Sequence, residues 1–93
     1  MIHTLLTAAL TVLVHDAPSG WTYDSGCCGG QDCRPVAESS VHELPTAWQI
    51  LATGELISKR EVKYSRDGDF HRCSVQGLDN GRTLCLYVPI RGS

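Results

Sequence analysis

The reactive groups of this chain are mostly sulfur and imidazole. Three of its five cysteines fall within seven residues, "CCGGQDC", as Cys27, Cys28 and Cys33; Cys73 and Cys85 lie near the C-terminus, close to His71. Such a set serves three kinds of chemistry. In an oxidising compartment, five cysteines in a short chain form two disulfides and leave one thiol over. In a reducing one, Cys28-x4-Cys33 has the spacing of a zinc knuckle, and His71-x-Cys73 puts an imidazole and a thiolate on one strand face. Cys28, Cys33, His71, Cys73 and Cys85 would then hold Zn or Cu(I), both of which suit Cys and His ligands. Third, a leftover thiol beside His71 could serve as a nucleophile. That reading lacks an orienting third group, and the chain is expected not to be an enzyme.

The choice among these turns on the compartment. Residues Leu5 to Val14, "LLTAALTVLV", form an unbroken block of apolar residues and Thr. It is shorter than the roughly 20 residues a membrane span needs, and it fits the apolar core of a secretory signal. The segment before it, "MIHT", has no Lys or Arg, and the cleavage point is not marked clearly. Residues 1–17 therefore read as a signal segment, and 18–93 as one small cysteine-containing domain, periplasmic or secreted, with no stable membrane span after processing. In that setting cysteines become disulfides and no cofactor is expected; Zn or Cu belongs to the alternative reading. Eight Lys and Arg against ten Asp and Glu leave no clustered basic excess, so no nucleic-acid partner is expected.

The elements that must position the cysteines read as mainly β: a small, disulfide-stapled antiparallel meander after a loop-rich lead-in. Residues 15–26 are loop, punctuated by Pro18, Gly20 and Gly26. Trp21 and Tyr23 share a face if extended and cover one edge of the core, or else form an aromatic contact surface. Residues 34–45 fit either one helical turn capped by Ser40 and Glu43 or a short strand. The stretch "AWQIL" alternates as a strand with Trp48 and Ile50 on one side, Gly54 turns the chain, and "ELI" resumes it. "REVKYS" and "FHRCSV" flank Asp67-Gly68, a hairpin signal, and Asn80-Gly81 precedes "TLCLYVP". In that last strand Leu84, Leu86 and Val88 share one face, while Thr83, Cys85 and Tyr87 share the other. The expected core is Trp48, Ile50, Val62, Leu84, Leu86 and Val88, and the region before Val36 is expected to be mostly irregular.

Sequence alone does not set the pairing, but register constrains it. A tight turn at Asn80-Gly81 sets Cys73 opposite Val88, whereas a turn over Leu78 to Asn80 sets it opposite Cys85. The Asn-Gly signal favours the first, so Cys73 and Cys85 are expected to reach back separately to the 27–33 cluster. Gly29 and Gly30 loosen that cluster, and a long-range bridge would fix it while restricting the unfolded chain.

The motifs CC-x3-DC-x-PV in "CCGGQDCRPV" and S-x-DG-x-x-H-x-C in "SRDGDFHRC", followed by a last cysteine in "LCLYVP", resemble a group of small exported bacterial proteins of unassigned function. The likeness covers residues 27 to 89. It implies export and a β-rich fold, and it carries no activity. The resulting expectation is an exported, non-catalytic binding or structural module of the cell envelope, with a Cys/His metal-binding protein as the alternative. Its partner would be another envelope protein, met through Trp21, Tyr23 or the locally basic stretch with Lys59, Arg60 and Lys63.

Overall fold

A computed structural model describes residues 17–18, 20–24, 26–27 and 32–90. The described residues form seven strands, β1 (Cys33–Val36), β2 (Val41–Glu43), β3 (Ala47–Ile50), β4 (Leu56–Ser58), β5 (Lys63–Ser65), β6 (Phe70–Ser74) and β7 (Thr83–Pro89). Among the described residues the only helical pieces are 3-10 turns at Glu38–Ser40 and Val75–Gly77. The strands form two sheets, ordered β1-β6-β7-β5 and β2-β3-β4. The second is an antiparallel meander, turned between β3 and β4 by Gly54 at φ 80°. For residues 41–43 the strand reading holds, and Ser40 closes the preceding 3-10 turn through its hydroxyl to the Ala37 carbonyl.

The centre of the four-stranded sheet, β6 and the second half of β7, is buried on both faces. On one face Phe70, Leu86 and Val88 pack against Val41, Trp48 and Ile50 of the second sheet, with Val36, Ile57 and Val62 at the margin. Trp48 and Phe70 meet edge to face, with centroids 5.2 Å apart. On the other face Cys73 and Tyr87 lie under Ala17, Tyr23 and Cys27, which belong to the segment ahead of β1. Every residue of β6 is consequently buried. Burying a Phe or Ile side chain contributes roughly 1.5–3 kcal/mol, so a domain this small depends on using both faces.

Three sequence expectations fail here for identifiable reasons. First, Asp67-Gly68 is not a hairpin. β5 pairs in parallel with β7, and β7 lies between β5 and β6, so residues 66–69 cross the end of β7. Gly68 does adopt φ 80°, but Asp67 turns its carboxylate back onto His71. Second, the β6–β7 connection does not turn tightly at Asn80-Gly81. It runs from 75 to 82, closed by Val75 N–H to the Arg82 carbonyl at 2.9 Å, and Cys73 faces Cys85 rather than Val88. Gly81 is required for space: a Cβ there would lie 2.7 Å from the Val75 carbonyl oxygen. Third, Leu84 is not core. The register passes from Cys73↔Cys85 to Ser74↔Thr83, which leaves Leu84 as the extra residue of a bulge, 37% exposed. The region before Val36 is mostly irregular among the described residues, as expected, and its strand is β1, paired antiparallel with β6 from Cys33↔Cys73 to Val36↔Phe70.

Arg72 organises the long connection. It is buried, and each of its nitrogens has a partner. Nε donates to Thr83 Oγ1 at 2.8 Å, Nη1 to the Asp79 carbonyl at 2.7 Å and Nη2 to the Gly81 carbonyl at 2.6 Å. Glu55 lies 3.6 Å from Nη2 and accepts from the Thr83 amide and hydroxyl. A buried guanidinium is tolerated where its donors are matched in this way.

Candidate functional site

Four of the five cysteines, Cys27, Cys33, Cys73 and Cys85, converge on the strap-covered face of the four-stranded sheet. Cys33–Cys73 joins the facing positions of β1 and β6, and Cys27–Cys85 ties the strap, residues 17–27, to β7. Both bridges run from the 27–33 segment to the β6–β7 pair, across sequence separations of 40 and 58 residues. Two disulfides in so short a chain point to an oxidising environment outside the cytoplasm. No helix among the described residues is long and apolar enough to cross a membrane. Cys28 lies outside the described residues, as do residues 1–16 of the expected signal segment.

Beside the bridges sits a buried aromatic cluster. Trp21 packs edge to face on Tyr23, His71 and Tyr87, with centroids 5.1, 5.0 and 5.3 Å apart. His71 is fully buried, and both ring nitrogens are engaged. Nε2 is 2.9 Å from both carboxylate oxygens of Asp67, and Nδ1 is 2.8 Å from the Tyr23 hydroxyl. For a neutral ring this arrangement puts the proton on Nε2, facing the carboxylate, and lets the Tyr23 hydroxyl donate to Nδ1. Trp21 Nε1 donates to Asp67 at 2.9 Å, and the Tyr87 hydroxyl accepts from the Asp24 amide at 2.8 Å. The relay holds the strap on the sheet. It offers no imidazole atom to a substrate.

This geometry changes the expected metal set. Cys33, Cys73 and Cys85 are disulfide sulfurs, which lack the thiolate a soft metal binds, and His71 has both nitrogens occupied. The described residues hold one other constellation, Asp67, Asp69 and His71, with ligand atoms within 4.8 Å of one another. A cation there would have to displace the His71–Asp67 bond.

The expected contact residues are dispersed. Tyr23 is 4% exposed and Trp21 half-buried, so they line the core and do not form an outward surface. Lys59 pairs with Glu43 at 2.7 Å and sits 5.6 Å over the Trp48 ring. Lys63 is on the strap side, 3.3 Å from Asp24, and Arg60 is exposed. The Gly26 amide first, and Lys63 second, hold the Asp24 carboxyl below its ordinary value.

A feature absent from the sequence reading lies between the sheets. A groove of about 420 Å³ is lined by Glu43, Trp48, Lys59, Val62, Tyr64, Val88, Pro89 and Ile90. Tyr64 and Ile90 stand at its rim, 60% and 75% exposed, and β5 and β2 are both edge strands. The alternation of "REVKYS" reads as a half-exposed strand with Val62 and Tyr64 on one face, but only the β5–β7 pairing brings Tyr64 beside Ile90, exposed at the rim. The Asp67–His71 contact was likewise hidden behind a turn signal.

Scanned against protein-family models, the chain matches none, and searches of the curated proteins and of the solved structures also find no match.

Proposed function

We propose that this chain is an exported, non-catalytic binding module of the cell envelope, periplasmic or secreted, and that it meets another envelope protein at the groove between its two sheets. The observation that carries the reading is how the polar and apolar groups are used. The reactive candidates, the four bridged cysteines and His71, are committed to fastening the strap and β1 to the sheet. Tyr64 and Ile90, by contrast, stand exposed beside an apolar floor of Trp48, Val62 and Val88. Exposed aromatic and aliphatic side chains around a concavity are a common contact surface. Export supports the bridges, and a mature chain beginning at His15 would keep Ala17, whose amide donates to the Trp21 carbonyl at 2.8 Å.

Site-specific photo-crosslinking in cells tests the reading. A photoreactive residue at Tyr64 or Ile90 should give a discrete adduct with one envelope protein, and the same residue at exposed Glu38 should not. Equal labelling at all three positions, or adducts with cytosolic proteins only, would reject it.

A further inference from the structure

Three of the sulfurs stand in one row across the sheet. Cys33 faces Cys73 across β1 and β6, and Cys73 faces Cys85 across β6 and β7. The Cys33 and Cys73 Cα atoms are 3.9 Å apart, and facing residues of an antiparallel pair such as Cys73 and Cys85 lie about 4.5 or 5.5 Å apart, a distance that a disulfide spans. Cys73 is therefore next to two possible partners, and the native pairing uses Cys33. Access is unequal along the row. Cys73 and Cys27 are buried, at 0% and 3% exposure, while Cys33 and Cys85 are half-buried.

We propose that the row is a thiol-operated switch, in which reduction by two electrons moves the chain from its two native bridges to the single bridge Cys73–Cys85 and frees the strap and β1. The reductant is a thiol of low molecular weight or a dithiol oxidoreductase. Its thiolate attacks the accessible sulfur of Cys33; the Cys33–Cys73 bond breaks, and Cys73 leaves as thiolate. Cys73 then attacks Cys85 across the β6–β7 register, the Cys27–Cys85 bond breaks, and Cys27 leaves as thiolate and takes a proton. A second equivalent of thiol attacks the mixed disulfide on Cys33, releasing Cys33 as a thiol and the reductant as its own disulfide. Two reductant thiols are oxidised, and one of the two protein disulfides is reduced. Attack on Cys85 instead releases Cys27 first. A second thiol then frees Cys85 from its mixed disulfide, and its thiolate reaches Cys73 to give the same product.

The consequence is conformational. The β6–β7 pair stays cross-linked, but the strap is then held only by non-covalent contacts, chiefly Tyr23 to His71 and Trp21 to Asp67. The aromatic face beneath it becomes available on reduction.

The test is a titration of the native chain, carrying Cys28→Ser so that no other thiol competes, with a dithiothreitol redox buffer. Samples are quenched with acid, alkylated and mapped without further reduction. The two-electron form should carry Cys73–Cys85, with Cys27 and Cys33 alkylated, and should be cleaved faster by protease within residues 17–27. A two-electron form that keeps Cys27–Cys85 or Cys33–Cys73, or a mixture like that obtained in denaturant, overturns the proposal. In a Cys27→Ala/Cys85→Ala chain the same reduction should leave no bridge at all; any persisting Cys33–Cys73 bridge under those conditions also counts against it.

Discussion

Removing the Cys27–Cys85 bridge should lower stability by about 4 kcal/mol, of which the cross-link itself supplies less than its loop length first suggests. Taken alone, a cross-link over a sequence separation of 58 restricts the unfolded chain by about 4 kcal/mol in the chain-entropy model. The two bridges are nested, however. With Cys33–Cys73 closed, the path from Cys27 to Cys85 through that bridge is only about 18 residues. The same relation then gives about 3 kcal/mol. Replacing both cysteines by Ala also removes a buried sulfur at Cys27, which adds on the order of 1 kcal/mol. The assay is urea unfolding of the Cys27→Ala/Cys85→Ala chain against its parent, both with Cys28→Ser, followed by tryptophan fluorescence without reductant. The slope against denaturant should rise as well, because a less constrained unfolded chain exposes more surface. A loss below about 1 kcal/mol with unchanged slope would refute the reasoning.

Four further outcomes follow. Tyr23→Phe removes the partner of His71 Nδ1 and should cost about 1–3 kcal/mol by leaving a buried polar atom unmatched, read by thermal unfolding. Arg72→Met strips the Asp79 and Gly81 carbonyls of their donor and Glu55 of its ion-pair partner, and should cost roughly 3 kcal/mol or more; Arg72→Lys should recover little, since an ammonium cannot fork. Gly81→Ala should destabilise the chain by about 1–3 kcal/mol through overpacking against the Val75 carbonyl. Burial pushes the Glu55 carboxyl up, but the Thr83 hydroxyl and amide, the Thr53 hydroxyl and the Arg72 charge outweigh it and hold the group below its ordinary value. A depressed carboxyl contributes stability that is full above the unfolded-state pKa, about 4.3, and lost as pH falls through the folded one. Glu55→Gln should therefore flatten the acid limb of a stability–pH curve, and an unchanged limb would contradict this.

Much of the fold was legible wherever one strand had one buried face. Alternation in "AWQIL" and "TLCLYVP" assigned Trp48 and Ile50 to one core and separated Leu86 and Val88 from Cys85 and Tyr87, as the two clusters show. What period-two alternation cannot report is a sheet covered on both sides, so the burial of His71 and Arg72 came as polar residues in a strand with no visible partners. Turn chemistry misled twice. Asp67-Gly68 and Asn80-Gly81 carry the residues that hairpins favour, but glycine serves a crossover in one case and a close backbone approach in the other. The parallel pairing of β5 with β7 depends on contacts more than twenty residues apart, and no local signal encodes it. β1 was hidden because "CRPV" lacks alternation, and Pro35 is tolerated there on an edge strand. The candidate site was legible in its sulfurs and not in its aromatics, because a disulfide cluster announces itself by composition and a groove is made only by the meeting of two sheets.

The disulfide pairing of the protein as made in the cell is the most direct test. Protein recovered from the cell envelope, alkylated before any reduction and mapped by mass spectrometry, should show Cys27 linked to Cys85, Cys33 linked to Cys73, and Cys28 as the single alkylated cysteine. Recovery of the chain with all five thiols alkylated, or with Cys28–Cys33 and Cys73–Cys85 as its native links, would contradict it.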